Sequence, residues 1–170
     1  MKWHTRKIGD VCEVVPGFAF KSKELGDTGI PVIKIGNITE DHSVDIEAAQ
    51  CLPENLIENR HNKYLLRNGD ILIAMTGATA GKLGRIRCSE DQALLLNQRV
   101  AKLHPHSINP DFLWSAISTN RYRTVFYSLG GGAAQPNMSG SQIESIEIPC
   151  PPHPQQDTIA SILSAYDDLI

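Results

Sequence analysis

No stretch of the sequence approaches the roughly 18 consecutive apolar residues that a membrane-spanning helix requires. The opening MKWHTRKIGD also lacks the apolar core of a secretion signal. A cytoplasmic address away from membranes is the expectation. Cysteine is sparse: Cys12, Cys51, Cys88 and Cys150 include no CxxC pair and have no histidine at ligand spacing, which argues against a zinc site. Reduced, mostly buried thiols are expected.

Catalytic landmarks are missing too. In TGATAGKL the glycines and Lys82 suggest a phosphate loop, but Gly77 and Gly81 are one residue too close. Leu83 also stands where a Ser or Thr hydroxyl must hold magnesium. A metal-dependent nuclease needs grouped carboxylates with a lysine, and neither Glu24 beside Lys23 nor Asp70 belongs to such a group. Asp70 reads instead as a turn or strand-start residue. An adenine methyltransferase needs an Asn or Asp ahead of its prolines, whereas the nearest string is Cys150-Pro151-Pro152-His153. No G-x-S-x-G elbow orders a Ser, His and Asp set, and the close pair His104 and His106 flanks Pro105 in an expected surface loop. No catalytic residue, metal or cofactor is assigned.

What is present fits one domain of 170 residues with a single sizeable core. The net charge of −3 opposes a nucleic-acid partner at first sight. Its distribution is uneven. Residues 40–57 and 136–170 each carry five carboxylates and no Lys or Arg, whereas residues 58–135 hold ten Lys or Arg against five carboxylates. A basic middle between acidic ends is the pattern expected of a one-sided cationic footprint.

Along the chain, Ile8 to Val15 reads as a short helix or strand that Pro16-Gly17 ends. Residues 30–38, IPVIKIGNI, alternate and are rich in β-branched side chains, predicting a strand. Residues 70–76, DILIAMT, follow the Asn68-Gly69 turn and are almost wholly apolar, predicting a strand covered on both faces at the centre of a sheet. Another strand is expected over 97–103. A helix is expected from Pro110 or Asp111 to about Tyr127, with Leu113, Ala116, Ile117 and Phe126 near one face, ended by Gly130-Gly131-Gly132. Pro149 to Pro154 forms a stiff extended lead. From Gln155, the residues Ile159, Ile162, Leu163, Tyr166 and Ile170 recur at spacings of three and four, an amphipathic helix that stops without a C-terminal signal and reads as cut. The class is α/β (mixed α+β), with a twisted, mostly antiparallel or mixed sheet and a few helices.

Four strings, in order, resemble the specificity subunits of type I restriction-modification systems. They are IGDVCEVVPGFAFKSKEL with GIPVIKIGNI, then YLLRNGDILIAMTGATAGKLGRI, then LLNQRVAKL, then QPNMSGSQIESIEIPCPPHPQQDTIASILSAYD. The resemblance implies a non-catalytic target recognition domain over 1–150 and the start of a spacer helix over 151–170. It implies that the domain reads half of a bipartite site in double-stranded DNA. Modification (methyltransferase) subunits, and through them a restriction subunit, are the implied partners, with a second recognition domain in the same or another chain.

A duplex reader needs cations and hydroxyls for phosphates, and amide or guanidinium groups for base edges. Thr76, Thr79 and Lys82, set among glycines, are assigned to phosphates, as are Lys21, Ser22 and Lys23. Arg60 and Lys63, with His61 and Asn62 between them, and Arg121 and Arg123 on the long helix are candidates for base contact. Gln135 and Asn137, beside the glycines, suit adenine recognition or capping of the next segment. Ile159, Ile162, Leu163 and Tyr166 are assigned to partner binding. In the alternative reading, the chain is an assembly or decoy module acting through that stripe without useful DNA affinity.

Overall fold

The apolar run after Asn68-Gly69 folds as a strand, Ile71–Ala74, whose four residues are all buried. Side chains alternate along a strand, so such a segment needs cover on both sides. It has it: Ile71 and Ile73 enter one core, and Leu72 and Ala74 another.

The computed structural model describes residues 3–129 and 137–167. The elements around the apolar run are β1 (His4–Lys7), β2 (Cys12–Pro16), β3 (Ile30–Ile33), β4 (Cys51–Leu52), β5 (Leu65–Leu66), β6 (Ile71–Ala74), β7 (Leu83–Arg85), β8 (Leu94–Leu96) and β9 (Val100–Pro105). They are followed by α1 (Pro110–Ile117), α2 (Asn120–Leu129), α3 (Gly140–Glu144), β10 (Glu147–Cys150) and α4 (His153–Asp167). Strands β2, β9, β6 and β7 form one antiparallel sheet, and β4, β3, β8 and β5 a second in which only β3 and β8 run parallel. A two-stranded ribbon pairs β1 with β10. This is the expected mixed α/β class with mostly antiparallel sheets.

The layers follow from the alternation. Residues of α1, α2 and α3 pack with Ile71 and Ile73 on one face of the first sheet. On the other face Leu72, Ala74 and Val100 meet Ile33, Leu94 and Leu96 of the second sheet. A third cluster, Phe20, Val32, Leu52 and Leu95, covers the outer face of that second sheet. Among the described residues, no helix is long and apolar enough to cross a membrane.

Several boundaries differ from expectation. The strand predicted over 30–38 ends at Ile33, because Asn37 closes a 3₁₀ turn by accepting from Lys34 N–H at 2.9 Å and donating to Asp45 carbonyl at 3.0 Å. The strand predicted over 97–103 is interrupted at 97–99, and β9 instead runs to Pro105, so His104 lies in a strand opposite Glu13 and not in a loop. The N-terminal segment is a 3₁₀ turn, Ile8–Asp10, followed by strand β2. Helix α4 begins at His153, since Pro154 is tolerated within a first turn.

The single helix predicted over 110–127 is two helices, broken at Ser118 and Thr119. At about 100° per residue, Phe126 on one continuous helix would point about 140° away from Leu113. The break lets Leu113 and Ile117 of α1 and Tyr122 and Phe126 of α2 enter the same core. Asn109 caps α1 by accepting from Asp111 and Phe112 N–H, and its amide donates to Asp157 at 2.8 Å. Buried Gln156 accepts from Asn109 N–H at 2.8 Å, which ties the start of α4 to α1. Of the cysteines, all free, Cys12 and Cys150 are buried and Cys51 and Cys88 half-buried. Burial, reinforced by the Glu144 carboxylate, pushes the Cys12 thiol up to about 12, so it stays protonated at neutral pH.

Two substitutions test this architecture. Leu72→Ala removes a fully buried side chain from between the sheets and is expected to lower the unfolding free energy by about 2–5 kcal/mol, read from urea denaturation at unchanged slope. Gly81 has φ +83°, and a Cβ there would lie 2.8 Å from Phe126 Cβ. Gly81→Ala is therefore expected to cost about 1–3 kcal/mol in the same measurement, with a wild-type-like melt counting against the close approach.

Candidate nucleic-acid interface

Strand β6 delivers its C-terminal end to a turn built by glycines. Gly77 and Gly81 adopt positive φ around the 3₁₀ turn Gly77–Thr79, and Gly81 N–H donates to Ala74 carbonyl at 2.8 Å while Ala74 N–H donates to Lys82 carbonyl at 2.9 Å. This closes the loop against the strand end. Thr76 bridges to Asn137, where the chain returns after residues 130–136, and Met138 N–H donates to Met75 carbonyl at 2.8 Å. Gln135 lies outside the described residues.

Because Gly81 permits contact with α2, the loop and that helix share a cleft of about 290 Å³. Its polar lining is Glu40, Thr79, Lys82, Arg123 and Thr124, with Tyr127 beside them. Thus Thr79, Lys82 and Arg123, assigned separately from the sequence, come together. Lys82 Nζ lies 2.8 Å from Glu40 Oε1 and donates to Ile38 carbonyl at 3.3 Å, with its side chain only 12% exposed. Arg123 reaches the other oxygen of Glu40 at 2.9 Å. Lys82, then Arg123, hold the Glu40 carboxyl below the usual carboxylate range. Thr79 Oγ1 donates weakly to Thr76 carbonyl at 3.4 Å, and Thr76 Oγ1 is buried with no hydrogen-bond partner among the described residues.

A second group gathers around His61. This histidine is buried against Phe18 and Phe20, at ring-centroid distances of 4.8 and 5.3 Å, and accepts from Glu58 N–H. The Phe18-Ala19-Phe20 segment that carries Lys21, Ser22 and Lys23 is thereby packed on the turn that carries Arg60 and Lys63. Arg60 pairs with Glu58 at 2.9 Å and stacks on Phe18, while Lys63 lies over Tyr64. Lys21 pairs with Glu24 at 3.2 Å, and Ser22 and Lys23 are exposed. Arg121 lies over the Tyr122 ring and points outward.

Sequence reasoning missed Glu40, which stands 83 residues before Arg123 and belongs to a segment read only as acidic. It also missed a cleft of about 500 Å³ on the other side of the Thr39–Ser43 turn, lined by His42, Arg85, Arg87, Trp114 and Ser118. There Arg85 binds Asp111 and stacks on Trp114, and His42 Nδ1 lies 3.1 Å from Leu83 carbonyl. The cations of the basic middle are correspondingly divided. Arg60, Lys82, Arg85, Lys102 and Arg123 have carboxylate partners, whereas Lys63, Arg67, Arg87, Arg99 and Arg121 have none among the described residues. Along α4, Ile159 is half-buried against the core, while Ile162, Leu163 and Tyr166 are exposed at 53%, 40% and 63%. Among the described residues, no three His, Cys, Asp or Glu side chains converge as a metal site would need.

The chain is 27% identical over 173 residues to the type I restriction enzyme MjaVIII specificity subunit of Methanocaldococcus jannaschii, covering 99% of this chain and 40% of that subunit. It is 28% identical over 177 residues to the EcoAI specificity subunit of Escherichia coli, covering 99% of this chain and 28% of that protein. The chain therefore spans well under half the length of these relatives. In fold it is similar to the type I restriction-modification S subunit from M. genitalium, with a TM-score of 0.68 at 16% identity over 99% of this chain and 40% of that one. The HsdS subunit from Thermoanaerobacter tengcongensis matches equally, with a TM-score of 0.68 at 17% identity over 98% of this chain and 38% of that one. The model of the type I restriction modification DNA specificity domain matches residues 1–170, so this chain belongs to that family.

Proposed function

We propose that this chain reads one half of a bipartite double-stranded DNA site on behalf of a type I restriction-modification complex whose other subunits methylate and cleave. The observation that carries the reading is that a specificity-domain family accounts for the whole chain while a lysine, an arginine and two threonines line one open cleft, together with the single carboxylate of Glu40. Such a set suits phosphate oxygens, which fix register on a duplex without reading sequence. Residues 1–150 act as the recognition domain and 151–170 begin the spacer helix.

Roles divide by exposure and by charge partners. Thr79, Lys82 and Arg123 position the backbone, joined by Lys21, Ser22 and Lys23 at the second group, while Thr76, its hydroxyl buried, supports the loop from beneath and does not line the cleft. Arg121 and Lys63, exposed and without carboxylate partners among the described residues, and Arg60, exposed but paired with Glu58, suit base edges, where a guanidinium matches guanine. Gln135, suited to adenine recognition or to capping the next segment, stays a candidate for DNA contact. The exposed Ile162, Leu163 and Tyr166 offer an apolar surface for modification subunits or a second recognition domain, with Ile159 as the anchor holding α4 to the body. In the cell this activity belongs in the cytoplasm, where the DNA is.

Fluorescence anisotropy with labelled duplexes tests the reading. Affinity is expected to fall linearly on a log–log plot as salt rises, with a slope of about −0.9 per phosphate neutralised, and a flat response would overturn it. Lys82→Ala is expected to weaken every duplex alike. Arg121→Ala is expected to narrow the gap between target and non-target half-sites by about 1–3 kcal/mol. The half-site itself is read by mapping methylated adenines in cells carrying the subunit with its modification partners.

A further inference from the structure

Glu40 holds two cations with one carboxylate while keeping 71% of its own side chain exposed. The Arg123 pair is exposed on both sides and contributes little to stability, and Lys82 keeps a second acceptor in the Ile38 carbonyl. The cations are nonetheless carefully set. Lys82 is nearly buried and doubly anchored, Arg123 leans in from α2, and the hydroxyl-bearing Thr79 and Thr124 line the same cleft.

The turn presenting Glu40 is also built for its position. Thr39 N–H donates to Ser43 carbonyl, and the Asp41 carboxylate accepts from the Thr39 and Ser43 hydroxyls. His42 sits at φ +67°, a conformation that non-glycine residues adopt at a cost. Its carbonyl accepts from Arg85 N–H at 3.0 Å, which fastens the turn to β7. A strained, cross-linked turn therefore carries one carboxylate into a cationic cleft.

A carboxylate and a phosphodiester share the same features at this scale, two oxygens and one negative charge. We propose that Glu40 is an internal stand-in for a DNA phosphate, occupying the Lys82–Arg123 site until a duplex displaces it. This inference rests on the DNA-reading function proposed above and adds a purpose to it. Phosphate contacts are blind to sequence, so a resident carboxylate that every duplex must displace lowers affinity for all sequences. Discrimination is left to base contacts.

The test compares wild type, Glu40→Gln and Glu47→Gln, the last removing the same charge from an exposed acid of the same segment outside the cleft. Thermal melts confirm folding of each, which the exposure of Glu40 favours. Binding of a random-sequence duplex across a salt series is then measured. Glu40→Gln is expected to bind several-fold more tightly than Glu47→Gln at each salt concentration. Adding Lys82→Ala to Glu40→Gln is expected to abolish the tighter binding. If wild type binds DNA and the two single variants behave alike, the stand-in is overturned while the reader stands. If wild type and both variants bind no duplex at low salt, the reader itself fails. Binding by Glu40→Gln alone supports the stand-in in its strongest form.

Discussion

Ile71 to Ala74 lie where two cores meet. With side chains alternating, this strand can be satisfied only if helices cover one face and a second sheet covers the other, and each of its four residues is removed from water. Burying a large aliphatic side chain contributes about 1.5–3 kcal/mol relative to exposure, so misplacing the strand is costly. The position of everything at its ends follows. The glycine turn, Lys82 and the Thr76–Asn137 bridge all hang from the C-terminal end of β6, and the Asp70 carboxylate at its start accepts from Arg67 N–H and lies 3.5 Å from Lys102 Nζ.

The charges obey a different logic from the one their order in sequence suggests. An acidic segment, a basic middle and an acidic tail do not fold into three zones. The acidic segment turns back so that Glu40 meets Lys82 and Arg123, and the Thr39–Ser43 turn separates two clefts that each contain arginine. A surface of this kind is moderately cationic in places and tempered by nearby acids. That suits the proposed duplex reader, which would have to leave wrong sequences readily, since unopposed positive charge would hold it on any duplex.

Much of the candidate site was legible in local chemistry. Gly77 and Gly81 announced a tight loop, and their positive φ values are what the absence of a Cβ permits. Asn109-Pro110 marked a helix start because a side-chain acceptor and a preset φ satisfy the first turn. Illegible were the features that depend on where the chain goes next. The break between α1 and α2 exists because Leu113 and Phe126 must reach one core. His104 lies in a strand because Glu13 is opposite it. Periodicity within either segment carries no record of these partners.

By itself the sequence determined the two-sided strand, the glycine loop with its lysine, the mixed α/β class and the apolar character of the last helix, because each depends on neighbours within a few residues. Only the tertiary structure decided that Lys82 and Arg123 share a cleft and that Glu40 fills it. It alone placed Arg60 over Phe18 beside the buried His61 and split the α4 stripe, turning Ile159 inward and Tyr166 outward. Those outcomes bring together residues far apart in the chain. They are set by the packing of whole sheets and helices, which local side-chain preferences do not encode.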